Sequence, residues 1–353
     1  MPIRARLNGE DVFSFNMSES SWNTLKATYK NHSLLMPCCD SQAIPKVSKL
    51  NNYFFAHSRA SSCSYAPETP EHIFLKTLIA KQAASAGWNV VTERPGETPN
   101  GEQWIADVFC TKGMHQLAFE VQWSYQTSDE LKRRQNKYIS SGVSATWLYR
   151  LKQNKEHYVH YSNDIPHEYE TPVFGMKYRP DSKELYVPQF EVSINEFVRG
   201  MLNGKLKWSP MKGEKLTAKL IPNSRQCYVC KKTTQEILAV SVCNEAGIEI
   251  AFRNFGGDDI VKFVMRHVTN QMLASLGVGA IKSRYSEADG QYHLSEGCYH
   301  CDASLLKYSS YKASKYISID KKPFMTFNFD YGDESLKIEG KWCFDGIPSK
   351  EFF

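Results

Sequence analysis

Apolar positions recur at helical spacing between Thr69 and Gly87 and predict an amphipathic helix. Thr69 is a suitable N-cap, Pro70 occupies the first helical position, and Gly87 follows the last turn. Glu71 falls at the edge of the packing face, where an acid would also complement the helix dipole. The predicted apolar stripe contains Phe74, Leu75, Leu78, Ile79 and Ala83.

After this helix the pattern changes to that of strands. WNVVTE predicts a first strand, and the apolar runs around IADVF and FEVQW predict two more, with Lys112–Gly113 as a tight turn between them. The segment TSDELKRRQNKYISSG predicts a second helix, capped by Ser128 and closed by Gly142, and VSATWLYR predicts a further strand. The predicted order is helix, three strands, helix, strand.

Three polar side chains, Asp107, Glu120 and Gln122, interrupt the two central strands. With Lys112–Gly113 as the turn, Asp107 faces Ala118 and Glu120 faces Ile105 across the hairpin. Because strand side chains alternate between faces, all three polar groups are predicted to converge on one side.

Two neighbouring buried carboxylates repel each other unless a positive charge lies between them. A Mg²⁺ or Mn²⁺ ion with oxygen ligands would relieve that repulsion, and the Gln122 amide could hold a water or a phosphate oxygen. The alternative is structural: Asp107 opens a strand, Glu120 pairs with an arginine, and Gln122 is a buried hydrogen-bonding amide. The spacing alone leaves both open.

The second helix carries basic and polar groups that suit a phosphate backbone. Leu131, Arg134 or Gln135, and Tyr138 recur on one of its faces. The candidate nucleic-acid contacts are Arg133, Arg134, Lys137 and Tyr138.

The N-terminal cysteines suggest a zinc knuckle on a hairpin that turns at Leu50–Asn52. Its candidate ligands are Cys38, Cys39, His57 and Cys63. Adjacent cysteines on a strand would point to opposite faces, which disfavours joint chelation. The alternative is that the cysteines are buried thiols and that His57 serves the next domain.

The C-terminal part holds two Cys-x-x-Cys pairs, which together predict a structural zinc site. The ligands would be Cys227, Cys230, Cys298 and Cys301, with His293 and His300 as spare candidates. The long segment between the pairs contains one predicted helix at 258–277. Cys110, Cys243 and Cys343 have no partner at ligand spacing and are predicted to be buried thiols. Aromatic and basic residues around this site suit either single-stranded nucleic acid or a scaffold, with scaffold slightly favoured.

Composition narrows the class of protein without fixing its function. The chain has 353 residues, 42% of them hydrophobic, and a formal net charge of +5, which is typical of a folded protein and compatible with a polyanionic partner. It has no apolar run long enough to span a membrane and no secretion signal at its start, so we expect a cytoplasmic protein. Ten cysteines in such a chain indicate metal sites or burial rather than disulfides.

Several motifs in this order resemble the CoiA-like competence proteins of the PD-(D/E)XK nuclease superfamily. They are YFFAH, PEH with LK, ADVF, FEVQWS and LKRRQNKY, and they span about residues 35 to 150. The resemblance implies that Glu71, Asp107 and Glu120 are metal ligands and that Gln122 replaces the usual lysine. Ala106 replaces the proline of the superfamily name, and Cys38–Cys39 replaces an expected Cys-x-x-Cys.

The expected fold is α/β. A restriction-endonuclease-like core of order αβββαβ at 67–155 would follow a zinc-finger-like region at 1–66. A connecting region at 156–215 would pack on the core, and a zinc-ribbon-like α+β domain would occupy 216–353.

Two functional classes follow from this reasoning. The first is a Mg²⁺- or Mn²⁺-dependent DNA nuclease, with catalytic Glu71, Asp107, Glu120 and Gln122, in DNA processing, competence or phage defence. The second is a non-catalytic zinc module that binds nucleic acid or a protein on a degenerate nuclease fold. DNA is the expected partner, and a second copy of the chain or a defence or recombination protein is a further candidate.

Overall fold

The structure is a computed structural model that describes residues 2–58, 63, 68–151, 168–179, 181–182, 184–286, 290–305, 322–332 and 336–349. The chain divides into two compact units, Met1–Leu206 and Lys207–Pro348. The predicted domain boundaries near 66 and 155 fall inside the first unit, and the one near 215 lies close to the observed division. Among the described residues, no helix combines the length and the apolar character needed to cross a membrane.

The N-terminal part of the first unit is a small mixed subdomain. Its elements are β1 (Arg4–Leu7), β2 (Glu10–Phe13), α1 (Glu19–Thr28), β3 (Leu34–Leu35), β4 (Ala43–Val47) and β5 (Tyr53–His57). Strands β2, β1 and β3 form one sheet, and β4 and β5 form the hairpin predicted around Leu50–Asn52. Trp22 is fully buried at the centre and stacks on Tyr53 with a centroid separation of 4.7 Å.

In the remaining described residues of the first unit, a seven-stranded sheet is accompanied by three helices. Its elements are α2 (Pro70–Ser85), β6 (Asn89–Glu97), β7 (Gln103–Lys112), β8 (His115–Gln122), α3 (Ser128–Ser140), β9 (Ser144–Arg150), β10 (Val173–Tyr178), β11 (Leu185–Val187), β12 (Val192–Ser193) and α4 (Ile194–Leu202). The strand order is β12-β11-β10-β9-β8-β7-β6. Strands β6 to β8 are antiparallel, whereas β9 runs parallel to both β8 and β10.

The predicted order of helix, three strands, helix and strand is therefore present from α2 to β9. Thr69 caps α2 by accepting the His72 amide at 3.2 Å, as its position predicted. The predicted connecting region does more than pack on this core, because β10 to β12 extend the same sheet. Part of that region, residues 152–167, lies outside the described residues.

The hairpin turn between β7 and β8 differs from the prediction. Lys112 pairs with His115, so Gly113 and Met114 form the turn in place of Lys112 and Gly113. Gly113 adopts a φ of +57°, a conformation that glycine enters without the Cβ penalty. Met114 is 98% exposed at the tip of this turn, so its side chain makes no packing contribution there.

The N-cap of helix α3 lies one residue before the predicted one. The Thr127 hydroxyl accepts the Glu130 amide at 3.3 Å and is the N-cap, while Ser128 is the first helical residue. Gly142 follows the last turn with a φ of +68°, as predicted.

The described residues of the second unit form three further sheets and two helices. Its elements are β13 (Leu206–Ser209), β14 (Lys215–Gln226), β15 (Thr233–Cys243), β16 (Glu249–Asn254), α5 (Asp258–His267), α6 (Asn270–Ser275), β17 (Ile281–Ser286), β18 (Gln291–Glu296), β19 (Met325–Asp330), β20 (Lys341–Phe344) and β21 (Ile347–Pro348). The sheet orders are β16-β15-β14-β19, β13-β20-β21 and β17-β18. Helix α5 buries Phe263 in the core that β14 and β15 line.

The single helix predicted at 258–277 is wrong, because the segment forms two helices. Val268 ends α5 in an extended conformation with φ −129° and ψ 122°. Thr269 then caps α6 by accepting the Met272 amide at 3.3 Å. A β-branched residue followed by a threonine hydroxyl favours a break at this point.

Candidate functional site

Strands β7 and β8 separate where the predicted polar residues lie. Their ladder ends at the pair Val108 and Phe119. One more step in the same register places Asp107 opposite Glu120, on a shared face. Asp107 Oδ2 accepts the backbone N–H of Val121 at 2.9 Å, so its side chain takes a donor that the ladder would otherwise use. On its other edge, β8 pairs with β9 from Leu117 to Gln122.

A side chain of helix α2 contacts the Asp107 carboxylate. His72, in the first turn of that helix, lies with Nε2 3.2 Å from Asp107 Oδ2, and both side chains are less than one-fifth exposed. Burial would raise the pKa of Asp107, but the charge and hydrogen bond of His72, the Lys76 charge and the Val121 amide together hold it well below its usual value. Burial lowers the pKa of His72, but the charge and hydrogen bond of Asp107 and the charge of Glu68 together outweigh it, and the net shift is upward.

The Glu120 carboxylate is almost completely buried and has two donors. Its Oε2 accepts from Arg134 Nη2 at 2.6 Å, and its Oε1 accepts from the Tyr138 hydroxyl. Burial and the nearby charge of Asp107 raise the pKa of Glu120 to about 7, against the lowering effects of Arg134 and Tyr138. The guanidinium of Arg134 also lies over the Trp147 ring, 4.6 Å from its centroid. This carboxyl is therefore close to its protonation midpoint at neutral pH.

Gln122 occupies the more exposed end of the same face. Its Nε2 donates to the Ser124 carbonyl at 2.7 Å, and its Oε1 accepts from Arg134 Nη1 at 3.3 Å. The structural alternative paired Glu120 with an arginine and made Gln122 a buried hydrogen-bonding amide. The arginine pair is present, and Gln122 makes hydrogen bonds but is only half-buried. They coexist with the convergence of the two carboxylates.

Behind the site lies a buried cation that the sequence analysis did not assign. Lys76 is completely buried, with Nζ 2.8 Å from Glu68 Oε2 and 2.6 Å from Glu93 Oε1. Glu93 interrupts β6 with a φ of +47°, between the pairs Thr92–Val108 and Arg94–Ala106. It therefore occupies the position opposite Asp107 on the other side of β7. A lysine one turn after His72, on a helix with an apolar stripe, was the available sequence signal.

Glu71, the predicted third metal ligand, lies elsewhere in the first turn of α2. Burial raises the pKa of Tyr178, and the charge of Glu71 raises it further, which places the Glu71 carboxylate near that phenol. Among the described residues, Glu71, Asp107 and Glu120 are not a group whose ligand atoms all lie within 4.8 Å of one another. The side chain that α2 brings to Asp107 is His72.

Comparison with known proteins gives the same segment a family. Residues 68–166 match the family described as competence protein CoiA, nuclease-like domain. This segment is therefore similar to the CoiA nuclease-like domain, and we refer to residues 68–166 by that name. The match confirms the resemblance found in the sequence, and it includes Glu68, His72, Lys76, Asp107 and Glu120.

Two other comparisons add little. No curated protein matches the chain. A solved structure described as a protein of unknown function, AF1548, is similar over 29% of this chain and 56% of that one, at 13% identity and a TM-score of 0.21. The chain thus spans little more than half of that protein, and a likeness this low supports no inference.

The α3 residues predicted to contact nucleic acid differ from one another in exposure and in their partners. Tyr138 is 1% exposed, so its predicted role at a phosphate is wrong: the ring packs at 4.9 Å from Trp104, and the hydroxyl serves Glu120. Lys137 Nζ donates to the Gln103 carbonyl at 3.0 Å. Arg133 is exposed and pairs with Glu130 at 2.7 Å.

Outside the CoiA nuclease-like domain, two groups of cysteines could hold a metal ion. In the first, Cys38 Sγ lies 3.2 Å from His57 Nε2, 3.8 Å from Cys39 Sγ and 3.9 Å from Cys63 Sγ. Cys38 and Cys39 lie in a turn rather than on a strand, which removes the predicted obstacle to joint chelation.

The second group is the predicted set of two Cys-x-x-Cys pairs. Its sulfurs are 3.7 Å apart for Cys227–Cys301 and again 3.7 Å apart for Cys230–Cys298. His300 is not part of this group, and its Nε2 lies 3.0 Å from the Thr233 carbonyl. The cysteines left over, Cys110, Cys243 and Cys343, are at most 2% exposed, as expected for buried thiols.

Proposed function

We propose that this protein is a metal-dependent nuclease that hydrolyses phosphodiester bonds in DNA, in DNA processing or in defence against foreign DNA. The observation that carries the proposal is the convergence of two buried carboxylates, Asp107 and Glu120, where β7 and β8 separate inside a CoiA nuclease-like domain. The finer assignment of the fold, a PD-(D/E)XK core of order αβββαβ, is part of the same proposal. Ala106 stands before the aspartate, and Gln122 takes the lysine position.

The donor set fits a hard divalent cation. Asp107 and Glu120 supply oxygen ligands of the kind that Mg²⁺ and Mn²⁺ prefer. Burial and then the charge of Asp107 raise the pKa of Glu120, and a bound cation would lower it. Glu71 remains the proposed third acid, acting directly or through water, and His72 is placed to act beside Asp107. When bound, such an ion supplies an activated water and neutralises charge on the phosphate.

The remaining side chains would bind and orient the substrate. Gln122 lies at the exposed end of the face, and its amide would position the water or a phosphate oxygen. Arg134 is about one-third exposed, and it would exchange part of its contact with Glu120 for a phosphate oxygen. Arg133, exposed one residue earlier, would bind the next phosphate, with Lys137 behind it.

We further propose that both cysteine groups bind structural zinc. A tetrahedral site with Zn–S bonds of 2.3 Å has ligand-to-ligand edges of about 3.8 Å. The sulfur separations of 3.7 to 3.9 Å in the two groups match this value. They are far longer than a disulfide bond.

A cleavage assay with matched variants tests the nuclease. Purified protein is incubated with Mg²⁺ or Mn²⁺ and with single-stranded, double-stranded and branched DNA, beside Asp107→Asn and the control Asp129→Asn. Asp129 is an exposed acid in the first turn of α3, so its variant carries the same charge change outside the site. We expect cleavage by wild type and Asp129→Asn, and a loss of at least about 100-fold in Asp107→Asn. Equal cleavage by all three proteins would exclude the assignment.

The second candidate is a non-catalytic nucleic-acid-binding or interaction protein on a retired nuclease fold. The observation that favours it is that protein donors already satisfy both carboxylates, Glu120 through Arg134 and Asp107 through His72. This candidate predicts no metal-dependent cleavage of any substrate by the wild-type protein.

A further inference from the structure

The two Cys-x-x-Cys loops of the second unit have the same backbone construction. The Cys227 amide donates to the Lys232 carbonyl and the Cys298 amide to the Ala303 carbonyl, at 2.9 and 2.8 Å. Each loop then closes with a second bond to the carbonyl of its first cysteine. A residue at positive φ follows each pair, Lys231 at +59° and Asp302 at +58°. The two loops are therefore equivalent, rigid knuckles that face each other across four sulfurs.

Both knuckles display a tyrosine at the same position, immediately after the first cysteine. Tyr228 is 43% exposed and Tyr299 is 48% exposed, and Val229 beside Tyr228 is 55% exposed. The first cysteine of each knuckle, by contrast, is buried. Large rings held outward on loops that are already ordered lose little conformational entropy when they bind a partner.

The charged side chains of the first knuckle are positive. Lys231 and Lys232 are exposed on the first knuckle, and Lys231 Nζ donates to the Tyr228 carbonyl at 2.7 Å, which holds the ammonium beside that loop. His300 follows Tyr299 on the second knuckle. Asp302, three residues after Tyr299, is engaged by Lys282 and Arg284. We define the knuckle face as Tyr228, Val229, Lys231, Lys232, Tyr299 and His300.

We propose that the knuckle face binds single-stranded nucleic acid, with bases stacked on Tyr228 and Tyr299 and phosphates beside Lys231 and Lys232. Paired exposed rings flanked by cations form the surface that unpaired bases and their backbone recognise. In a duplex the bases stack on one another inside the helix, so they cannot stack on the tyrosine rings. This binding surface goes beyond the proposed nuclease site and does not depend on it.

Fluorescence anisotropy with the full chain tests the proposal. The background variant is Asp107→Asn, so that any cleavage is removed and a failed nuclease assignment cannot disturb the binding result. The probes are labelled oligo-dT, oligo-U and a DNA duplex of equal length. We expect both single strands to bind more tightly than the duplex, and the comparison of dT with U separates DNA from RNA preference.

Substitutions at the rings test the stacking. Tyr228→Ala and Tyr299→Ala should each weaken single-strand binding by about 5-fold to about 150-fold, whereas Tyr228→Phe and Tyr299→Phe should retain it. The matched control is Phe252→Ala. Phe252 is also an exposed ring of this unit, but it pairs with Ser241, about 26 Å along β15 from the knuckle end at Thr233. Its loss should leave affinity unchanged.

The salt dependence tests the phosphate contacts. Replacing Lys231 and Lys232 together by glutamine should reduce the slope of log affinity against log salt by about 1.4, since each lost contact to a single strand removes about 0.7. Lys262→Gln, on α5, should leave the slope unchanged. Circular dichroism and metal content should match wild type in each variant.

Three outcomes would overturn the proposal. They are no measurable single-strand binding, equal affinity in the tyrosine-to-alanine variants that remain folded, and a salt slope that does not change in the lysine variant. A surface that instead serves a protein partner would give the second and third results.

Discussion

Replacing Lys76 by methionine should destabilise the first unit strongly. The ammonium is fully buried and lies within 3 Å of both Glu68 and Glu93. Methionine fills similar space but leaves two buried carboxylates without their cation. Breaking a buried ion pair from one side costs about 3–5 kcal/mol. With a urea m-value of about 3 kcal/mol per molar, the unfolding midpoint should fall by about 1 to 1.7 M.

Urea-dependent hydrogen exchange, measured on peptides from α2, reports the unfolding of the first unit, where Lys76 lies. Lys81→Met is the control, because Lys81 lies exposed on the same helix and its loss should change stability by less than about 0.5 kcal/mol. Burial raises the pKa of Glu68, but the charges of Lys76, His72 and the N-terminus together lower it by more, so the net pKa lies below the ordinary value. The stability gained from this pair is therefore present above the unfolded pKa and lost as pH falls through the folded one.

The destabilisation by Lys76→Met should consequently be smaller at pH 5 than at pH 8, because the carboxylates left behind can take up protons at the lower pH. Adding Glu93→Gln to Lys76→Met should recover part of the loss. A midpoint shift no larger than that of Lys81→Met, or one independent of pH, would refute this role for Lys76.

Four further predictions follow from single contacts. Tyr138→Phe removes a hydrogen-bond donor from buried Glu120, so the pKa of Glu120 should rise above 7. The free energy of unfolding, measured by chemical denaturation, should fall by about 1–3 kcal/mol. An unchanged unfolding midpoint would contradict the contact. Gly96→Ala should cost about 1–3 kcal/mol and shift Trp104 fluorescence, because a Cβ there would lie 2.1 Å from the indole. Because Glu120 is protonated below about pH 7, Mn²⁺ affinity in calorimetry should fall about tenfold per pH unit below that point and level off above it. Cys227→Ser should lose one zinc equivalent by metal analysis, and retention of two would reject that site.

The turn between β7 and β8 was predicted one residue too early, yet the prediction that Asp107 and Glu120 share one face of the hairpin was correct. Moving the turn from Lys112–Gly113 to Gly113–Met114 changes every cross-strand partner by two residues. Strand side chains alternate with a period of two, so this shift keeps Asp107 and Glu120 on the same side. Helix limits were also predictable, since Thr69, Gly87 and Gly142 act through local backbone chemistry.

The partners of the site could not be predicted in the same way. Lys76 pairs with anions on a preceding loop and on β6, and His72 extends from α2 to Asp107 on β7. These contacts depend on how α2 packs, and no sequence period encodes them. Tyr138 looked exposed because its helix is strongly polar, yet one ring in that pattern enters the core. Glu71 and His72 are neighbours, and only the helix rotation decides which of them faces Asp107.

Mn²⁺ titration of the wild-type protein by calorimetry, beside Glu120→Ala, tests the central claim most directly. With both cysteine groups saturated by zinc beforehand, the account predicts a Mn²⁺ isotherm in wild type at pH 8 that disappears in Glu120→Ala and persists in the surface control Asp129→Asn. An isotherm of equal strength in wild type and Glu120→Ala, or no binding to wild type, would contradict a divalent-metal site at the β7–β8 hairpin.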